Sequence, residues 1–279
     1  MEMLLMAEKV LDFELYLKNE ERSAATIEKY MRDVKLFMRF VADKELCKQT
    51  VLDFKSKLIE TYAVSSANSM IAAVNCFLRF CGAYHLCVKQ FKIQRQIYCP
   101  EEKELTRSEY IRLLEAANKK QNKRLNLIIQ TICGTGIRVS ELKYITVEAL
   151  KRGEVIVDCK GKSRRIFIVP KLKQKLLRYV AEQGIKTGTV FITKGGKPIS
   201  RSSVWREMKS LCEQADVLPT KVFPHNLRHL FARTFYGVER DIAKLADILG
   251  HASINTTRIY IVTTGAEHRR KMERMRLII

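Results

Sequence analysis

From Ser23 onward the apolar residues Ile27, Tyr30, Met31, Val34, Phe37, Met38 and Val41 recur at steps of three and four, which gathers them on one face of a helix. Ser23 stands where a cap belongs, with Thr26 competing for that role. Residues 51–64 and 65–86 read as two further helices, the second carrying Met70, Val74, Phe77, Leu78 and Cys81 along one side. A stripe of this kind forms a core, so residues 1–87 read as one helical unit. Periodicity then stops between Val88 and Leu105, where Lys89, Lys92 and Arg95 precede Pro100 and the acidic pair Glu101 and Glu102. That composition predicts a linker over residues 88–105.

A second unit opens at Thr106, because Thr106 and Glu109 have the spacing of a capping box. Helical pattern continues through Ala117 and resumes over Leu125–Cys133. The runs Val155–Val157 and Ile166–Val169 are rich in β-branched and aromatic residues and flank Lys160-Gly161-Lys162-Ser163, the pattern of a β-hairpin. Thr189–Thr193 predicts a third strand, and the pattern is helical again from Ser200. The fold class expected is mainly α with a small antiparallel β-sheet, in two domains, without internal repeats or low-complexity tracts.

Composition narrows the function. With 51 Lys and Arg against 30 Asp and Glu, the chain of 279 residues carries a formal charge of +21, spread through both halves. Such an excess points to a polyanionic partner, nucleic acid first. The basic half of the linker, Lys89, Lys92 and Arg95, is placed to cross a DNA backbone. The eight cysteines include no CxxC pair, which argues against a zinc ribbon. The N-terminal stretch lacks a basic start and is interrupted by Glu8 and Asp12, so it makes a poor signal peptide. No apolar run has membrane-spanning length. Cysteines used as small core residues, in a chain with no membrane segment, fit a reducing cytoplasm.

The last part of the chain concentrates groups suited to phosphodiester chemistry: Pro224-His225-Asn226-Leu227-Arg228-His229, then Leu249-Gly250-His251, then Tyr260 nine residues after that histidine. Arginine offers a fork of donors to phosphate oxygens, histidine exchanges protons near neutral pH, and a tyrosine hydroxyl can act as a covalent nucleophile. His225 and His229 are four apart, as zinc ligands on a helix would be, but the zinc-protease glutamate is missing. Neither a metal nor a cofactor is expected. Upstream, Gly134-Thr135-Gly136-Ile137-Arg138 sets an arginine at a glycine-loosened turn after an apolar helix, with Glu141 one turn further on.

In this order and spacing, the Arg138 segment, the Lys160 hairpin, the His225–Arg228 box and the Gly250-His251 to Tyr260 segment resemble the catalytic half of the tyrosine recombinases, the phage integrases and Xer-like recombinases in their short two-domain form. The resemblance covers roughly residues 106–265, and residues 1–87 look like the family's SAM-like core-binding domain in pattern. It implies that Arg138 and Arg228 clamp the scissile phosphate, that Tyr260 attacks phosphorus to give a 3′-phosphotyrosyl link, that His225 relays the phenol's proton and that His251 hydrogen-bonds the phosphate. A hairpin lysine protonates the leaving oxygen in that family. Lys160 aligns best, and Lys162, two residues on, is the alternative and otherwise a DNA contact. Glu141 is expected to orient Arg138. Tyr236 and Tyr144 are weaker nucleophile candidates, and His85 and His268 have no supporting context.

The resemblance further implies double-stranded DNA as partner, a dimer on each recombination site, a tetramer in the synapse and a Holliday junction, with the C-terminal tail of domain 106–279 packing into a neighbouring subunit. A relaxing enzyme like the type IB topoisomerases, and a DNA-binding accessory protein without catalysis, are the alternative readings.

Overall fold

The computed structural model describes residues 2–42, 44–93, 101–159, 162–261 and 265–275. The chain divides into two compact units, residues 1–95 and 96–279.

The first unit holds α1 (Glu2–Asn19), α2 (Ala24–Val41), α3 (Lys48–Thr61) and α4 (Val64–Phe80), then a short 3-10 turn at Tyr84–Leu86. Ser23 caps α2 by accepting the amide of Thr26 at 3.4 Å. The face foreseen for α2 is buried through Met31, Val34, Phe37 and Val41, against Phe13 and Leu17 of α1, Phe54 and Leu58 of α3 and Phe77 of α4. Burying these side chains supplies the driving force of the unit, at about 1.5–3 kcal/mol for each large residue. Asp33, the charged residue on the buried face of α2, is held by Lys29 at 2.6 Å and Arg32 at 3.1 Å.

The expected linker begins differently. Asn75 of α4 donates to the carbonyl of Val88 at 2.8 Å and accepts its amide at 3.0 Å. Asn68, two turns earlier, does the same for Phe91, at 2.9 and 2.8 Å. Two amide side chains thus imitate the edge of a strand, and residues 88–91 lie on the helix instead of running free. Lys89 and Lys92 are exposed, and Arg95 lies outside the described residues.

The second unit is built around α6 (Lys123–Thr135), whose Leu125, Ile128, Ile129 and Ile132 are fully buried. A helix apolar on so many sides belongs at a centre, and α5 (Arg107–Lys119), α8 (Pro170–Glu182) and α11 (Pro224–Glu239) pack around it. Thr106 and Glu109 form the expected capping box on α5. After α7 (Val147–Arg152), β1 (Glu154–Cys159) pairs antiparallel with β2 (Lys162–Phe167), Val157 opposite Arg164 and Cys159 opposite Lys162. The connection falls at residues 160–161, outside the described residues. Thr189–Thr193 does not form the expected third strand. Thr189 makes one bridge to Thr146, Ile192 one to Pro198, and the amide of Val190 bonds to Ile145 at 2.9 Å. Val190 and Phe191 are buried, so the apolar composition there reflects core packing without a strand partner. The remaining helices are α9 (Arg201–Lys209), α10 (Cys212–Ala215), α12 (Ile242–Leu249), α13 (Ile254–Arg258) and α14 (Gly265–Arg274).

Candidate active site

Helix α6 ends on Gly136 with φ at +66°. A Cβ there would stand 2.5 Å from the Phe231 ring, so only glycine lets the chain turn this close to α11. The turn delivers Arg138. Its amide donates to Glu141 Oε2 at 2.9 Å and its Nη1 to Glu141 Oε1 at 3.0 Å, while Nη2 reaches the carbonyl of Gly250 at 3.3 Å. Glu141 is 5% exposed and holds Arg138 by both its amide and its guanidinium. It also accepts Nη2 of Arg164 from β2 at 2.5 Å. Arg164 in turn donates to the carbonyl of Leu249 at the end of α12. Sequence reading missed Arg164. The signal was present in strand alternation, which gives Arg164 the parity of buried Ile166.

Helix α11 starts with Pro224, whose missing amide costs nothing at a first turn. Asn226 is buried and ties the helix to the carbonyls of Lys103 at 2.9 Å and Lys221 at 2.7 Å. One turn after Pro224 stands Arg228, 1% exposed. Its Nη1 donates to the carbonyl of Gly136, and its Nη2 donates to the carbonyl of Leu249 at 2.6 Å and meets His251 Nε2 at 3.0 Å. Its Nε is buried with no hydrogen-bond partner. Burial, and then Arg138, pull the Arg228 pKa down to about 10, so it stays charged at neutral pH.

His251 follows Gly250, which closes α12 at φ +63°. Its Nδ1 lies 2.9 Å from Thr257 Oγ1. Tyr260 comes just after α13 and is 6% exposed, packed with Ala232, Leu245 and Leu249. Its hydroxyl is 3.1 Å from His225 Nε2. Three imidazoles surround its ring: His229 stacks at 4.2 Å with planes 14° apart, His251 is tilted at 4.8 Å and His225 stands edge-on at 5.3 Å. Burial, helped by nearby charges, lowers the pKa of His229 and of His251 to about 4. Burial followed by Arg228 and Arg138 lowers that of His225 as well. All three are neutral at pH 7. His229 was read from sequence only as a weak metal-ligand candidate, and its stacking on Tyr260 had no sequence signal.

Arg138, Glu141, His225, Arg228, His251 and Tyr260 are thus brought together within one unit. Arg138 lines two clefts, one of about 490 Å³ shared with His225, Arg201 and Trp205, and one of about 840 Å³ shared with Lys143, Arg164 and His251. Lys160 lies outside the described residues. Lys162 stands opposite Cys159, two positions before Arg164 on the same strand. Lys89 and Lys92 belong to the other unit. Tyr144 and Tyr236 take other places: the Tyr144 hydroxyl donates to the carbonyl of Asp158 at 3.4 Å, and Tyr236 packs beside the Tyr260 cluster. Among the described residues no group of His, Cys, Asp or Glu side chains could hold a metal ion, and no helix is long and apolar enough to cross a membrane.

Such a site can neutralise a phosphodiester through arginines while holding a phenol against a neutral imidazole. Comparison with known proteins fits that chemistry. Residues 103–266 match the phage integrase family, and residues 10–83 match the phage integrase N-terminal SAM-like domain. The tyrosine recombinase XerA of Thermococcus kodakarensis is 30% identical over 281 residues, covering 97% of this chain and 96% of that one. A crystal structure of XerA recombinase is similar over 98% of this chain and 99% of that one, with 26% identity and a TM-score of 0.56. A lambda integrase tetramer bound to a Holliday junction shares the fold at 19% identity and a TM-score of 0.74, over 91% of this chain and 76% of that one.

Proposed function

The chain belongs to the phage integrase family and is a tyrosine recombinase, and from that premise we propose which residues carry site-specific DNA recombination and how. Arg138 and Arg228 bind the two non-bridging oxygens of the scissile phosphate, and His251 adds a hydrogen bond to them. These charges count for most when negative charge builds on the oxygens during attack. The Tyr260 oxygen forms a bond to phosphorus and passes its proton to His225 Nε2. The bond from phosphorus to the 5′-oxygen breaks, and Lys160 gives that oxygen a proton. Lys162 is the second choice for this acid. A proton on His225 lies close to Arg228 and Arg138, which favour its release, so His225 acts as a relay. The 3′-phosphotyrosyl link preserves the energy of the broken bond, and the 5′-hydroxyl of another strand can reverse the step without metal or nucleotide.

The observation that best supports this reading is the Tyr260 hydroxyl 3.1 Å from His225 in the same pocket as the buried Arg228. No observation favours the relaxing enzyme or the silent binding protein. The helical unit, proposed as residues 1–87 with a linker over 88–105, grips duplex DNA, with Lys89, Lys92 and Arg95 on its backbone. Binding then weakens steeply with salt, because releasing counterions into a more concentrated solution gains less free energy. By analogy with the solved relatives, protomers act as a dimer on each site and a tetramer at the junction. The tail after residue 271 docks in a neighbour, although its final residues, Leu277–Ile279, lie outside the described residues. A recombinase acts where its DNA lies, which makes the cytoplasm, at the nucleoid, its proposed location.

The test is a nicked duplex drawn from DNA flanking the native gene, incubated without divalent metal. The wild type forms a covalent protein–DNA adduct and Tyr260→Phe forms none. An adduct that persists in Tyr260→Phe would refute the assignment.

A further inference from the structure

Thr257 is fully buried and touches both ends of the chemistry. Its hydroxyl is 2.9 Å from His251 Nδ1, and its carbonyl accepts the amide of Tyr260 at 2.9 Å. On the other side of the imidazole, Arg228 Nη2 stands 3.0 Å from Nε2. A guanidinium can only donate, so Nε2 must be the bare nitrogen. A neutral His251 then carries its proton on Nδ1, where it donates to Thr257. In this resting tautomer His251 has no hydrogen to offer a phosphate.

The reaction needs the opposite arrangement. Once a phosphodiester oxygen takes the Arg228 donor, Nε2 faces an anion and must itself donate. A neutral ring achieves this by losing the Nδ1 proton to the cleft and gaining one at Nε2, which leaves Nδ1 bare in the protein interior. A bare, unpartnered nitrogen there costs about 1–3 kcal/mol. A hydroxyl can accept from Nδ1–H and, by turning about a single bond with its oxygen in place, donate to bare Nδ1. A backbone carbonyl would lock the resting tautomer, and a carboxylate would favour an imidazolium. We infer that Thr257 is a positioning residue that supports both tautomers of His251, allowing the imidazole to switch from acceptor of Arg228 to donor to the scissile phosphate. Through its carbonyl, the same residue fixes the turn that carries Tyr260.

This inference rests on the proposed role of His251 and is tested with a variant of that residue alongside. Thr257→Val keeps the shape and removes the hydroxyl, whereas Thr257→Ser keeps the hydroxyl. Single-turnover adduct formation on the nicked duplex should fall on the order of a hundredfold in Thr257→Val. That is less than the roughly ten-thousandfold lost when a hydrolase triad loses its charged tautomer-setting partner. DNA affinity should be unchanged, and Thr257→Ser should stay within about threefold of wild type. Nitrogen-15 spectra of the DNA-free protein should show His251 protonated on Nδ1 in wild type and Thr257→Ser, and mixed in Thr257→Val. If Thr257→Val does not fold, Thr257→Ser against Thr257→Ala repeats the comparison with a pair that differs by one hydroxyl. Wild-type cleavage in the hydroxyl-free variant, or a serine variant as slow as it, overturns the inference, as does an Nε2-protonated wild type. If His251→Ala also cleaves normally, the phosphate role of His251 is what has failed. If His251→Ala is slow while Thr257→Val is fast, only the role of Thr257 falls.

Discussion

Glu141→Gln is the most informative single change in the site. The carboxylate is nearly enclosed and serves two arginines: Arg164, itself mostly buried, at 2.5 Å, and Arg138, about a third exposed, at 3.0 Å. Glutamine has the same shape but no charge, and its amide nitrogen must face one of two donor-only groups. The buried bond to Arg164 loses its charge assistance, at about 1.5–3 kcal/mol. The bond to Arg138 is screened by the cleft and adds about 1 kcal/mol or less. A total near 2–4 kcal/mol should lower the melting temperature of the catalytic unit by roughly 4–16 °C, given about 2–4 °C per kcal/mol for a unit of this size. Freed from Glu141, the Arg138 guanidinium loses its fixed orientation, so adduct formation on a nicked duplex should also fall, on the order of tenfold to a hundredfold, as oriented partners of reacting groups commonly do. Calorimetry and single-turnover cleavage measure the two effects separately. A melting temperature within a degree of wild type, with normal cleavage, would refute the view that Glu141 organises the arginines.

Three further outcomes are expected. Gly250→Ala puts a non-glycine residue at φ +63° with its Cβ 2.6 Å from Arg164 Cδ; beyond about 1 kcal/mol for the backbone, Arg164 must leave Glu141, so thermal denaturation and cleavage should both report a loss close to that of Glu141→Gln. His229→Ala should slow adduct formation while His229→Phe, which preserves a ring over Tyr260, restores most of it; a phenylalanine variant as slow as alanine would mean that the imidazole nitrogens matter, not the stack. The third outcome concerns pH. His229 and His251 have folded pKa values of about 4 against an ordinary 6.5, so between those values the unfolded chain binds protons that the folded one refuses. Stability should be complete above pH 6.5 and decline as pH falls toward 4; melting curves across that window should flatten in His229→Phe, and an unchanged slope would contradict the buried neutral imidazole.

Much of the proposed site can be read in the sequence because the chemistry proposed for it demands rare residues at fixed spacings: Arg138 after a glycine turn, His225 and Arg228 one helical turn apart, Tyr260 downstream of Gly250-His251. The residues that hold them are harder to read. Within Lys162-Ser163-Arg164-Arg165, which arginine turns inward depends on strand register, and a slip of one residue would exchange Arg164 for Arg165. Register is fixed by burial of Ile166 and exposure of Phe167, a difference that two neighbouring apolar residues do not announce. Thr257 looks like any polar residue of a short helix until the fold brings it against His251. Asn68 and Asn75 carry no periodic signal, yet they decide that residues 88–91 lie on α4. What the sequence hides is a set of polar contacts that appear only in the folded chain, most of them between residues more than twelve positions apart, although Thr257 and His251 are only six apart.

The way the site satisfies its arginines is consistent with burying Arg228 while keeping it available to the proposed phosphate. One carboxylate, Glu141, pairs with two of the three guanidiniums, Arg138 and Arg164, and apart from His251 Nε2 beside Arg228 the arginines turn to main-chain carbonyls: Gly136 at the end of α6 for Arg228, Leu249 at the end of α12 for Arg228 and Arg164, and Gly250 for Arg138. Carbonyls at helix C-termini carry only a fraction of a negative charge. They satisfy the hydrogen bonds of a guanidinium without cancelling its charge. Had each arginine been given its own carboxylate, the interior would be better neutralised, but an arriving phosphodiester would meet competing anions and a field near zero. The lowered pKa of Arg228 reflects the same arrangement, since burial and a like-charged neighbour both disfavour its cationic form. A group held in that state gains most from an anion placed against it, and gains more as negative charge accumulates on the phosphate oxygens during attack. Partial compensation by helix ends therefore leaves excess positive charge beside Tyr260, where the proposed reaction develops negative charge.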